Sequence, residues 1–179
     1  QSGSLFYRPR QRRKQADAAR QLLQSPTGDH LTLLTVWNKW RAANFSRQWC
    51  IDHYVSFKTM RQVRDARAQL IDLAKRQGID ILPQEDYTDC DKNNVLKALL
   101  SGFFFQTANA AQGNLGAFKL RRDGGTVFIH PSSALHLVKP EHVVFHEILT
   151  TSKEYICNVS IYDPMWLLEV APHFQAQSK

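Results

Sequence analysis

The chain has 179 residues, 43% of them hydrophobic and 22% charged, with a formal net charge of +7. That length admits one domain or two small ones with a packed core. No apolar run approaches the ~20 residues that a bilayer-spanning helix needs, and the first residues lack the apolar centre of a signal peptide.

The three cysteines, Cys50, Cys90 and Cys157, show no CxxC spacing. Scattered thiols in odd number point to a reducing compartment, cytosol or nucleus, rather than to a disulfide framework. The positive charge is unevenly spread. Residues 1–26 hold Arg8, Arg10, Arg12, Arg13, Lys14 and Arg20 against Asp17, and residues 27–50 hold Lys39, Arg41 and Arg47 against Asp29. Residues 51–179 balance. The run RPRQRRK therefore reads either as a solvated basic linker or as a nucleic-acid contact.

Phe6 to Pro9 is expected to be extended, since a residue before proline avoids the helical region. Gln15 to Gln24 reads as a short helix stopped by Ser25-Pro26-Thr27-Gly28. Asp29 can cap a second helix, on which Leu31, Leu34, Trp37 and Trp40 recur at helical spacing. Ser46 is another cap, opening a short helix through Trp49 and Tyr54. The strongest amphipathic pattern runs from about residue 57 to 77, with Met60, Val63, Leu70, Leu73 and Ala74 on one side and Lys58, Arg61 and Arg64 on the other. Gly78 ends it, at ease in the left-handed conformation that follows a helix.

From Ile81 to Asp91 the chain is acidic and turn-rich, the pattern of a surface loop. A last long helix is expected from about Lys92 to Asn109, with Val95, Leu96, Leu99 and Phe103 facing a core. Phe103, Phe104 and Phe105 are consecutive, so about 100° separates neighbours and they cannot all face that core.

The texture changes near residue 110. Asp123-Gly124-Gly125 is a hairpin signal between FKLRR and TVFIH. Two β-rich runs, about 143–150 and 154–161, flank the polar link Thr150–Lys153. Asp163-Pro164 then starts a short helix through Trp166, Leu167 and Val170, with proline at its favoured first position. The expected architecture is α+β, a helical part followed by a small closed five-stranded sheet with a terminal helix.

Several residue groups invite a chemical reading. His142, His146 and Glu147 look like metal ligands, but on a strand four residues span ~13 Å, too far for one ion, so His146 reads instead as a partly buried strand residue. His130 beside Ser132 and Ser133 lacks a GxSxG elbow, and HPSS reads as a turn or as a source of phosphate donors. Lys58, Arg61 and Arg64 could hold a phosphate backbone, or form a solvated face shared with Asp65 and Asp72. Trp37, Trp40, Trp49 and Trp166 sit at core positions, whereas Phe118 and Phe128 flank the hairpin and are the better stacking candidates. Thr150, Thr151, Ser152 and Lys153 place several phosphate donors on one exposed turn, without base selectivity. Neither a GxxxxGK[ST] phosphate loop nor an Asp-Glu-Ala-His run is present, so ATP hydrolysis is not expected from these residues.

In order along the chain, LFYRPRQRRKQADAARQLL, GDHLTLLTVWNKW, NFSRQWCIDHYVSFKTMRQVRDARAQL, KALLSGFFFQTAN, IHPSSAL, HEILTTSKEY and WLLEVAPHF resemble the C-terminal region of DEAH-box RNA helicases of the splicing and ribosome-biogenesis type. The resemblance implies a basic connecting segment over 1–27, at a winged-helix junction, and a ratchet-like helical domain over 28–109. An OB-fold over 110–174 and a tail over 175–179 follow. It further implies an auxiliary fragment that contacts single-stranded RNA and couples motor motion to translocation in spliceosome remodelling, in the nucleus. The RNA-binding residues would be Lys58, Thr59, Arg61, Arg64, His130, Ser132, Thr150, Thr151, Ser152 and Lys153. No catalytic residue, metal or cofactor is expected here, since ATP and Mg²⁺ belong to the motor domains of such a helicase. The implied partners are single-stranded RNA, the motor domains of the same chain, and G-patch activator and spliceosomal proteins, with no membrane. One position departs from the family, because Cys157 stands where relatives carry Arg in a KEYMR-like run. The alternative is a protein-interaction scaffold with incidental RNA contact, which the near-neutral second half favours.

Overall fold

The structure is a computed structural model that describes residues 5–79, 81, 89–113 and 116–175. Most of the expected 81–91 loop and the 175–179 tail therefore lie outside the described residues. The chain divides into two compact units, Gln1–Leu23 with Leu34–Asp86, and Gln24–Leu33 with Tyr87–Lys179.

The first unit is helical. A 3₁₀ turn over Arg10–Arg12 leads into α1 (Arg13–Gln21); α2 (Asp29–Ala42), which belongs to this unit from Leu34 onward, α3 (Arg47–Asp52) and α4 (Phe57–Arg76) follow. The hydroxyls of Ser46 and Ser56 accept the N–H groups of Trp49 and Thr59, satisfying otherwise unpaired donors at the starts of α3 and α4. Leu23, Val36, Trp40, Cys50, Val55 and Met60 form the core. Trp40 is its centre: its rings meet Phe45 and Phe57 edge-on, and its indole N–H donates to the Ser46 carbonyl at 3.0 Å. Truncating such a buried indole costs roughly 3–5 kcal/mol.

On α4 only part of the expected apolar stripe is covered. Met60 is buried, but Val63, Leu70 and Leu73 are 42%, 65% and 54% exposed. The periodicity made the helix legible, yet no described element packs over its last turns.

The second unit holds a closed barrel in the order β1-β2-β3-β5-β4. Its strands are β1 (Thr107–Ala110), β2 (Ala117–Leu120), β3 (Thr126–Ile129), β4 (His142–Thr150) and β5 (Glu154–Ile161). All pairings are antiparallel except β3 with β5. Alternation sends Phe118, Leu120, Val127, Ile129, Val143 and Phe145 inward. On β5 the inward residues Ile156 and Val159 are three apart, because Asn158 has φ +52° and shifts the side-chain phase. The β2–β3 turn is the expected one: Gly124 has φ +73°, and the Asp123 carboxylate accepts the Gly125 N–H at 2.9 Å.

The last long helix ends earlier than its sequence pattern indicates. α5 spans Asp89–Phe103, and Thr107–Ala110 form β1. TANA has no strand signature of its own. Its backbone is recruited between β2 and β4, so tertiary pairing overrides a helical preference. The barrel thus begins three residues before the change of texture near residue 110, and α5 groups with it.

Outside the barrel wall, α5 meets α6 (Pro164–Val170) and α7 (Pro172–Gln175) around Leu100, Val144, Tyr162, Leu167, Ala171 and Phe174. The Asp163 side chain caps α6 through the Met165 N–H, with Pro164 at the first position. Of the three phenylalanines only Phe103 lies on α5; Phe104 and Phe105 follow it in a turn. Phe103 lies against His146, Phe104 and Phe105 meet Phe174, and Phe105 stays 51% exposed.

Residues 24–33 are part of this unit. Gly28 bridges to Ser160, and the Ile161 N–H donates to the Thr27 carbonyl at 2.9 Å. Gly28 has φ +125°, and a Cβ there would sit 2.4 Å from the Val159 carbonyl oxygen, so only glycine fits. Asp29 does not act as the expected cap. It lies within the first turn of α2, and its buried carboxylate accepts the N–H groups of Ala134 and Val159.

Candidate nucleic-acid interface

The barrel places six of the sequence-derived site residues in the two turns that flank the β3–β5 pair. β3 leads into the turn holding His130 and Ser132, and the β4–β5 link carries Thr150, Thr151, Ser152 and Lys153. Parallel pairing sets Phe128 opposite Tyr155, so the turn after β3 and the link before β5 lie at opposite ends of this strand pair, with the two rings between them. His130 stands edge-on to Tyr155 at 5.7 Å, and the Lys153 ammonium lies 4.7 Å from the centre of the Phe128 ring.

His130 has a defined tautomer. Its Nδ1 accepts the Ser132 N–H at 3.1 Å and lies 2.7 Å from the Ser132 hydroxyl, which leaves the ring proton on Nε2. The Ser133 N–H returns to the His130 carbonyl at 2.9 Å, closing the turn that HPSS indicates. Thr151 holds the link in shape, with its N–H and hydroxyl both donating to the Lys153 carbonyl at 2.9 and 3.2 Å. Residues 150–154 are all exposed. Neighbouring on β2, Lys119 reaches the Thr126 hydroxyl at 2.6 Å.

The remaining four residues belong to the helical unit. Lys58, Arg61 and Arg64 are exposed along α4, whereas Thr59 is half-buried and its hydroxyl donates to Ser56 at 2.8 Å. Lys58 and Arg61 line an open groove of about 510 Å³ with Arg47, Phe57, Gln62 and Asp65. Arg47, from α3, adds a third cation that periodicity along α4 alone does not bring in. Arg64 lies over the Phe45 ring and near the Asp65 carboxylate, at 5.7 and 3.8 Å, and so is partly engaged within its own unit. Arg67 covers the face of Trp37 at 5.4 Å.

Two expectations are corrected. Phe118 cannot stack on a ligand, since it is buried in the barrel core; on β2 its side chain falls on the inward phase. Phe128 falls on the outward phase and remains half-exposed. His146, read as partly buried, is exposed, because α5 covers it only with the edge of Phe103. Its neighbour His142 bonds Asn109 Oδ1 at 3.0 Å, and both histidines lie on β4 as the strand reading requires. Tyr155 was not singled out from the sequence. Its alternation with buried Ile156 on a strand next to Phe128 was the available signal.

Cys157 and Glu147 are opposite one another on β5 and β4. Burial, together with the Glu147 carboxylate and Asp29, pushes the Cys157 thiol above its usual range, so it is a poor nucleophile at neutral pH. Behind the barrel edge, His30 Nδ1 lies 2.8 Å from the Ser160 hydroxyl, which also accepts the His30 N–H at 3.3 Å. Burial lowers the His30 pKa to about 4 and keeps the ring neutral. Among the described residues no cluster of His, Cys, Asp and Glu could hold a metal ion, and no helix is long and apolar enough to cross a membrane.

A closed five-stranded barrel with an exposed β4–β5 loop and an aromatic outer face is the architecture of oligonucleotide-binding barrels. Residues 95–174 match the family model of the oligonucleotide/oligosaccharide-binding (OB)-fold. The match supports a helicase-associated OB-fold domain over that segment.

Proposed function

We propose that these residues form the auxiliary, RNA-contacting part of a DEAH-box RNA helicase that acts in pre-mRNA splicing in the nucleus. In this reading the OB-fold and the cationic α4 hold single-stranded RNA for motor domains of the same chain. Nucleotide-driven motion of those domains, which bind ATP and Mg²⁺, is thereby coupled to strand movement. The 179 residues themselves hydrolyse nothing. G-patch activators and spliceosomal proteins are the protein partners this reading carries.

The observation that carries it is the line of His130, Tyr155, Phe128 and Lys153 along the outer face of β3 and β5, between two donor-bearing turns of a barrel matched to the OB-fold family. Hydroxyl, imidazole N–H and ammonium donors suit phosphate oxygens without reading sequence. The test is fluorescence anisotropy of a labelled oligouridylate over a salt series, repeated with Arg8–Lys14 removed. The expected affinity is ~10⁻⁴–10⁻⁶ M, falling as salt rises. No binding in that range would sink the proposal.

One observation favours a second reading, a protein-interaction scaffold: the uncovered Val63, Leu70 and Leu73 stripe on α4. Such exposed apolar surface is characteristic of a docking face. Retention of partner binding in a chain that has no RNA affinity would favour it.

A further inference from the structure

On the outside of the barrel, Leu149 is opposite Tyr155, Tyr155 is opposite Phe128, and Phe128 is opposite Ala117, so one transverse row crosses four strands. The residues beside them, Ile148, Ile156, Ile129 and Phe118, pack with the barrel core, which fixes the row on the outer face. Phe128 and Tyr155 are 6.3 Å apart with their planes inclined by 53°, and both are half-exposed. Beyond them the row ends in Leu149, 45% exposed.

Charge argues against phosphates as the main attraction here. Lys119, Lys153 and Glu154 border the row on one side and Glu147 on the other, so cations and acids balance around it. Residues 95–174 as a whole carry six cationic and six acidic side chains. A phosphate chain gains little Coulomb energy from such a face, whereas α4 carries six cations against two acids. Affinity on the barrel must come from groups indifferent to net charge. Aromatic ring faces are such groups, and every nucleobase offers a π-face to them.

Resting on the RNA reading above, we infer that Tyr155 and Phe128 form a shelf on which unpaired bases of single-stranded RNA stack. Lys153 is the cover of that shelf. Its ammonium occupies the Phe128 face through a cation–π contact. An incoming base takes that place and releases the ammonium to the adjoining phosphate. The two units then differ in what they read: α4 holds backbone, and the barrel holds bases.

The experiment uses the whole 179-residue chain with a labelled oligouridylate and an abasic ribose-phosphate strand of equal length and charge. The unmodified chain is expected to prefer the oligouridylate. Tyr155→Leu and Phe128→Leu, which keep apolar bulk, should each weaken oligouridylate binding roughly tenfold. Binding of the abasic strand and the salt dependence should stay unchanged. A 2-aminopurine placed in the oligouridylate should lose fluorescence on the unmodified chain, a readout that does not depend on either variant folding. Equal affinity for the two strands with no quenching overturns the shelf but leaves the RNA reading standing. If neither strand binds, the RNA reading falls and the shelf with it.

Discussion

The carboxylate of Asp29 accepts the backbone N–H of Val159 at 2.8 Å, across 130 positions of sequence. Its other oxygen accepts the Ala134 N–H at 2.9 Å. Val159 directly follows Asn158, where β5 changes phase, so the acid serves the backbone at the kink. Asp29→Ala would leave the buried Val159 N–H and the part-buried Ala134 N–H without this partner. The expected loss is about 3 kcal/mol, read as a lower urea midpoint. Asp29→Asn retains one acceptor oxygen and should fall between the two. A midpoint within error of the parent would show that water replaces the carboxylate.

Next to it, His30 makes stability pH-dependent. Its folded pKa is about 4, below the ordinary 6.5, because burial penalises the charged ring; the neighbouring Asp29 opposes that shift and His146 adds to it. The unfolded chain takes up a proton near pH 6.5 that the folded chain refuses. This contribution is therefore whole above pH 6.5 and is lost as pH falls towards 4. The full loss amounts to about 3 kcal/mol. Urea unfolding across that window should show the decline, and His30→Gln should flatten it.

Cations on the two units should be separable by salt. Each phosphate contact on a single strand contributes about −0.7 to the slope of log K against log salt. Arg61→Ala with Lys153→Ala should then flatten the slope by roughly 1.4. The measurement belongs in a chain lacking Arg8–Lys14, whose charge could mimic the effect. An unchanged slope would make both residues ordinary solvated surface.

Glu147 has no ion-pair partner among the described residues, and Cys157 stands opposite it. Cys157→Arg places a cation across the strand pair. Opposite charges in that position stabilise by roughly 0.2–1 kcal/mol. Thermal unfolding should therefore shift upward, and the shift should vanish when Glu147→Gln is added. A gain that survives the second change would have another source.

Much of this architecture was legible in the residues. Ser46 and Asp163 declared two helix starts, the spacing from Met60 onward declared α4, and Asp123-Gly124-Gly125 declared the β2–β3 turn. β1 was not legible, because Thr107–Ala110 become a strand only through partners on both sides. Asp29 misled for a related reason: a short acid before an apolar run caps its own helix unless a distant backbone competes for it. The site divided in the same way. Local turn chemistry pointed to His130, Ser132 and Thr150–Lys153, but the strand phase that buries Phe118 and exposes Tyr155 depends on register.

The strap of residues 24–33 has a consequence for anyone dissecting the chain. The OB-fold match begins at residue 95, and a fragment cut there would look complete by sequence. It would lack the Thr27 carbonyl, the Gly28 backbone and the Asp29 carboxylate that serve β5 and the turn after β3. Such a fragment should be recovered as an unstable species that a synthetic 24–33 peptide rescues in trans. The compact unit that holds the barrel is continuous in space but discontinuous along the chain, and a boundary drawn between its two segments severs it.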